Sequence, residues 1–253
     1  MNQKQRNETD LQAVKELAKC MLYLEPEPVE MLPIFVRHPF SSSGIIGLRE
    51  ADGTIRMGNI MENESDKAQW RKQMTDIIDQ CDDAMRVYHL VEKQYVLAFF
   101  KYAAQSLSQE DYAWMLADAW IRSEEPNRDP NLTQSKLLAM FRRADPQFLM
   151  DDRERKCLEE LPDPVTIYRG VRSDHAKGVY ALSWTLDHEK ARWFANRYGR
   201  QGQVYEAKIQ KDHIHALFHG RGESEVIVDP KYLMEITQAQ RLTQEPSMEV
   251  SGM

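Results

Sequence analysis

Apolar residues recur at helical spacing through roughly the first 160 residues and cluster into short β-branched runs after that. Leu11, Val14, Leu17, Ala18, Met21 and Leu22 predict an amphipathic helix, capped by Thr9 or Asp10 and stopped by Pro26 and Pro28. Ile34-Phe35-Val36 predicts a short strand. Ile45 to Leu48 and Thr54 to Met57 flank Asp52-Gly53, a hairpin turn signal. Ser41-Ser42-Ser43-Gly44 reads as a plain loop or an anion-binding one. From Ile60 to Glu125 there is no Gly or Pro, and Trp70, Met74, Ile77, Ile78, Cys81, Met85 and Tyr88 recur at three and four. That spacing predicts a helix running to Tyr88, followed by a second through Tyr95 to Ala104. Ser108 with Asp111 resembles a capping box that opens a helix through Trp114, Leu116 and Trp120. These aromatics are expected in the core. Thr133 caps a helix through Leu137, Leu138, Met140 and Phe141. A turn at Asp145-Pro146 and a charged helix from Asp151 to Leu161 follow.

The pattern changes after Pro164. Val165 to Tyr168 reads as a strand ending at Arg169-Gly170, and Ala181 to Thr185 as a second strand end. Asp187 caps a helix carrying Ala191, Phe194, Ala195 and Tyr198. Gly199 to Gly202 is a turn. Val204 to Ile209, Ile214 to Phe218 and Val226 to Val228 read as three more strands. Helices first and strands later indicate an α+β fold, not a doubly wound parallel sheet. The last twenty or so residues are polar with little pattern, and residues 236–253 are expected to form a frayed tail.

Length and composition bound the function. A chain of 253 residues, 42% hydrophobic and 29% charged, has the balance of an ordinary globular protein. The net charge is −7, yet residues 161–230 hold 10 Lys/Arg against 9 Asp/Glu, so the acidic excess lies almost wholly in residues 1–160. That acidic half argues against broad adhesion to nucleic acid or membrane, but leaves room for a small basic cleft in the other half. Cys20, Cys81 and Cys157 are odd in number and share no metal spacing, which suggests buried thiols in a reducing compartment. The first residues contain no apolar signal region, and no apolar run is long enough to span a bilayer. A cytoplasmic location, of a producing or a target cell, is the expectation.

Candidate chemistry gathers in the second half. Glu223 and Glu225 stand two apart where a Gly-containing loop, Arg221-Gly222-Glu223-Ser224, becomes the run Glu225-Val226-Ile227-Val228. If Glu225 begins a strand, period two puts Glu223 and Glu225 on the same face, with a rigid strand holding one acid and a mobile loop carrying the other. Paired acids act when their surroundings separate their roles; the plain alternative is a solvated strand edge. Arg169-Gly170 and Ser183-Trp184-Thr185 supply two further polar points at expected strand ends. Arg169 could be a surface charge and Ser183 a structural hydroxyl. Arg197 and Arg200 could be solvated helix-end cations, which a helix C-terminus favours. His213, His215 and His219 invite a zinc reading, but no fourth ligand has suitable spacing, and no metal is expected.

In order, aromatic-Arg-Gly (Tyr168-Arg169-Gly170), Ser-x-Thr followed by a helix with Trp193-Phe194-Ala195, and Glu-x-Glu resemble the ADP-ribosyltransferase superfamily. They resemble its arginine–serine–glutamate class, which includes cholera-toxin-like and clostridial C2- and C3-type enzymes. The resemblance covers roughly residues 110–235. It implies a split β-sandwich core with a helical lobe, preceded by an N-terminal helix and β-hairpin region. The implied domains are an accessory region 1–84, a catalytic domain 85–235 and a tail 236–253, with helices from about 85 to 160 completing a nicotinamide-binding lobe.

The resemblance further implies cleavage of NAD+ between nicotinamide and ribose, and transfer of ADP-ribose to a protein arginine. RNA or DNA bases are the alternative acceptor, and a module that has lost catalysis is a second alternative. A bacterial or phage toxin-like member would have an antitoxin or inhibitor protein as a partner. Residue by residue, Glu225 would steady the oxocarbenium-like ribose and Glu223 would face the acceptor. Ser183 would orient Glu225, and Arg169 would bind NAD+ phosphate or ribose. Gly170 would clamp the nicotinamide amide with its backbone, and Thr185 would shape the strand. Phe194 would pack or stack on nicotinamide, with Arg197 and Arg200 on the pyrophosphate. The family's middle motif is usually Ser-Thr-Ser; the bulky Trp184 must therefore point away from the ligand face.

Overall fold

The computed structural model describes residues 7–124, 126–128, 132–172, 176–199 and 202–239. The chain divides into two compact units, Met1–Arg155 and Lys156–Met253.

The first unit opens with α1 (Leu11–Leu22). Its N-cap Asp10 accepts from the Ala13 N–H at 3.1 Å, and it buries Val14, Ala18 and Leu22. Strands β1 (Glu27–Val29), β2 (Leu32–His38) and β3 (Ser41–Ser43) form an antiparallel sheet in that order. The expected serine loop is thus partly a strand. The hairpin β4 (Ile45–Arg49) and β5 (Ile55–Asn59) turns at Gly53, whose φ of 86° needs a residue without a side chain.

The long helix expected to reach Tyr88 is two helices, α2 (Glu64–Gln80) and α3 (Ala84–His89). Cys81 adopts an extended conformation, and the Asp83 carboxylate accepts from the Arg86 N–H at 2.8 Å to start the second. The apolar period continues across this break, but the local cap overrides it. Helix α4 (Val96–Ala103) is almost wholly buried. In α5 (Gln109–Arg122), Ser108 Oγ accepts from Asp111 N–H at 3.1 Å. The returning half of the box runs through Thr9: its hydroxyl donates to the Asp111 carboxylate and accepts from Ser108 N–H at 2.8 Å. Trp114, expected in the core, is 58% exposed, because the buried stripe runs through Tyr112, Met115, Leu116, Ala119 and Trp120. Helices α6 (Gln134–Arg143), α7 (Pro146–Leu149) and α8 (Asp152–Glu160) follow.

The described residues of the second unit, after the end of α8, form an antiparallel sheet with a helix packed on it. Its elements are β6 (Val165–Arg172), β7 (Ser183–Thr185), α9 (His188–Asn196), β8 (Gly202–Ile209), β9 (Ile214–Phe218), β10 (Glu225–Val228) and β11 (Met234–Gln238). The strand order is β11-β8-β6-β7-β10-β9. Strands β6 and β8 pair from Val165↔Ile209 to Arg172↔Gly202, whereas β6 and β7 pair at Tyr168↔Thr185 alone. The sheet is therefore two three-stranded halves joined at one position.

Strand β11 places residues 236–238 of the expected tail 236–253 in the sheet, and residues 240–253 lie outside the described residues. Only Met234 and Ile236 alternate with polar residues and the strand is mostly exposed, yet it pairs with β8, and Lys208 Nζ meets the Glu235 carboxylate at 2.6 Å. Backbone pairing at a sheet edge leaves no hydrophobic signature to read. The fold is α+β with antiparallel sheets. Among the described residues no helix is long and apolar enough to cross a membrane.

Candidate active site

The junction of the two half-sheets holds the polar residues singled out above. Glu225 is the first residue of β10 and only 7% exposed, although it is ionisable. It lies opposite Thr185, and Ile227 lies opposite Ser183, so Glu225, Thr185 and Ser183 share one face of the sheet. Across the diagonal, Ser183 Oγ hydrogen-bonds Glu225 Oε1. Trp184 and Val226 occupy the other face, and both are buried. The Trp184 indole N–H donates to the Ala181 carbonyl at 3.2 Å. The bulky middle residue of the motif thus points away from the acid.

Arg169 lies on β6, three residues before that strand ends at Arg172, not at its expected end. Its Nε donates to the Gly178 carbonyl at 2.7 Å and its Nη1 to the Ser183 carbonyl. Arg169 therefore fastens β7 and the preceding turn to β6 across the stretch where strand pairing has lapsed. Arg169, Ser183 and Glu225 form one hydrogen-bonded chain across three adjacent strands. Nothing in the sequence marks the Gly178 and Ser183 carbonyls as partners, because backbone acceptors carry no residue signature.

Glu223 does not share a strand face with Glu225 by alternation. Ser224 between them has φ 42°, in the left-handed region, and Glu223 itself has φ −100° and ψ −14°. The strand begins only at Glu225, so a turn and not the pleat sets where Glu223 stands. The Thr185 hydroxyl donates to the Glu223 carbonyl at 2.6 Å and accepts from Asp187 N–H at 3.0 Å.

Gly170 faces α9. A side chain there would run into the Ala191 carbonyl and the Ala195 backbone, and one at Gly202 into the Ala195 and Val171 carbonyls. The close approach that Gly170 permits is that of the helix. Asp187 caps α9, accepting from Glu189 N–H at 2.8 Å and Lys190 N–H at 3.1 Å. The Tyr168 and His188 rings meet edge to face at 5.3 Å. Burial, with Glu206 adding to it, holds the Tyr168 phenol above its ordinary pKa.

Phe194 is half-buried and its ring lies 5.0 Å from Trp193. Arg197 ends α9, with its guanidinium 5.2 Å from the centre of the Trp193 ring. Glu189, Arg192, Trp193, Asn196 and Arg197 line an open hollow of about 640 Å³ on this side of the helix. Arg200 lies outside the described residues. His213 sits in the turn before β9, so strand alternation does not relate it to His215. Its ring stacks on Tyr232 at 3.6 Å. Among the described residues no group of three or more His, Cys, Asp or Glu could hold a metal ion.

No family model matches the chain, and neither curated proteins nor solved structures give a significant match. Chemically, the site offers a carboxylate held on a rigid strand and oriented by a hydroxyl. A second carboxylate stands two residues away on a turn.

Proposed function

We propose that the chain is a mono-ADP-ribosyltransferase that cleaves NAD+ and transfers ADP-ribose to a macromolecular acceptor, with protein arginine the preferred target. The observation that carries this reading is the buried Glu225 carboxylate, held by the Ser183 hydroxyl on the neighbouring strand while Arg169 fixes the backbone of Ser183. The sheet of two halves joined at one pair is also what a split β-sandwich core would present.

The chemistry suits such a carboxylate. The bond between ribose C1′ and the nicotinamide nitrogen breaks, and its electron pair goes to nicotinamide, which leaves neutral. Positive charge develops on the ribose only during the reaction. A preorganised anion beside it stabilises the transition state more than the ground state. An acceptor guanidinium is a poor nucleophile until a carboxylate orients it and takes its proton. Glu223 does this in the proposed division of roles, and the new bond joins the guanidine nitrogen to C1′.

The test incubates the protein with labelled NAD+ and whole lysate, then separates protein from RNA and DNA. Label in protein is expected. Label in the nucleic-acid fraction would move the acceptor to a base, and no label with no loss of NAD+ would remove catalysis from the reading. Glu225→Gln should abolish both NAD+ hydrolysis and transfer. Glu223→Gln should abolish transfer to arginine and spare part of the hydrolysis; equal loss of both would contradict the division.

A further inference from the structure

The turn that carries Glu223 is tied down from one side. Gly222 (φ 63°) and Ser224 (φ 42°) flank Glu223 with left-handed backbone. An L residue such as Ser224 holds that conformation only when its surroundings impose it. Two hydrogen bonds do so here. The Thr185 hydroxyl donates to the Glu223 carbonyl at 2.6 Å, and the Leu186 N–H donates to the Ser224 carbonyl at 3.0 Å. Thr185 is 5% exposed, and its oxygen also accepts from the N–H of Asp187, the residue that caps α9. One hydroxyl therefore links the start of a helix to the peptide that follows Glu223.

We infer that Thr185 is a positioning residue for Glu223, and that it governs how the ADP-ribose cation is divided between water and a guanidine acceptor. The inference rests on the proposed transferase reading. Glu225 owes its place to β10, whose backbone pairs with β7 opposite Thr185, and to the Ser183 hydroxyl. Glu223 lies outside the strand ladder, and its backbone is held through Thr185. Removing the hydroxyl takes from the Glu223 carbonyl and the Asp187 N–H the partner they share, and frees the turn to move. The acid that meets the acceptor is then displaced, while the acid beside the ribose stays.

The experiment compares Thr185→Val and Thr185→Ser with the parent, using NAD+ with agmatine as a small guanidine acceptor. Thr185→Val is expected to lower kcat/KM for transfer about tenfold or more, and to change NAD+ hydrolysis by less than about threefold. Thr185→Ser, which keeps the hydroxyl, should restore transfer to within about threefold. Equal loss of both activities, or no change in their ratio, overturns the inference.

Hydrogen exchange supplies a measurement that needs no activity. In Thr185→Val the amides of 222–224 should exchange faster while those of 226–228 stay slow, and unchanged exchange at 222–224 overturns the inference. If the parent cleaves no NAD+, the transferase reading fails. The same exchange comparison then decides by itself whether Thr185 holds the turn.

Discussion

The two compact units differ in what their buried acids do. In the first, Asp66 and Glu154 close short loops, and the longer reach, from Thr9 to Ser108 and Asp111, completes a helix cap. Asp66 accepts from Asn59 N–H at 2.8 Å and from Arg56 at 2.7 Å, folding a helix start onto the hairpin beside it. Those bonds hold Asp66 below the ordinary carboxylate range, with Arg56 the larger cause. Glu154 and Asp151 exchange backbone bonds at 3.0 Å and 2.8 Å to open α8. In the second unit, Ser183 reaches an acid 42 residues away and Thr185 a carbonyl 38 residues away. Short closures stabilise an element, whereas long ones place one element's side chain against another's. The second pattern suits a site whose geometry must be held by the tertiary fold.

The largest effect expected is on chemistry without stability. Glu225→Gln keeps the shape and an acceptor for Ser183, so its urea midpoint should stay near the parent's while NAD+ turnover falls by about 10²–10³-fold. A large loss of stability instead would make Glu225 a structural acid like Asp66. The reverse is expected at Gly170. Gly170→Ala forces a methyl group into the backbone of α9 and should cost about 1–3 kcal/mol in equilibrium unfolding. A neutral result would mean that helix and strand are not in contact there.

A third expectation concerns pH and belongs to the first unit. His38 is buried, its Nδ1 accepts from Phe40 N–H at 3.0 Å, and its Nε2 lies 3.1 Å from the Leu24 carbonyl. That pairing satisfies the neutral ring, and burial pulls the pKa down to about 4. The unfolded chain takes up this proton near pH 6.5 and the folded one only near 4, so the contribution is complete above about pH 6.5 and is lost as pH falls from there toward 4. Urea titrations at pH 7.5 and 4.5 should show a larger acid loss in the parent than in His38→Gln. Equal losses would place the acid sensitivity elsewhere. The smallest effect is a single cap: Ser108→Ala should cost about 1 kcal/mol, read as a shifted unfolding midpoint with activity unchanged.

Much of the fold was legible because caps are local. Asp10, Ser108, Thr133 and Asp187 each accept from an N–H two or three residues on, so residue type and spacing mark them. The hairpin at Asp52-Gly53 was legible for the same reason. The break at Cys81 was not, since hydrophobic period runs straight through it. Strand β11 was not, since it is exposed on both faces of the sheet edge and holds only two apolar residues. At the site, the Glu225 strand start and the Ser-x-Thr strand were visible as composition, while the left-handed Ser224 that separates Glu223 from the strand was not.

The sequence by itself determined where helices begin, which residues are apolar enough to be buried, and that Arg169, Ser183 and Glu225 fall on strands of one β-rich segment. Only the tertiary structure decided that β7 lies between β6 and β10, which brings the Ser183 hydroxyl to Glu225 and the Arg169 guanidinium to the Ser183 carbonyl. The reason is range. A cap reads its partner within one turn of chain, but strand order depends on which distant backbones pair, and backbone groups are alike at every residue but proline.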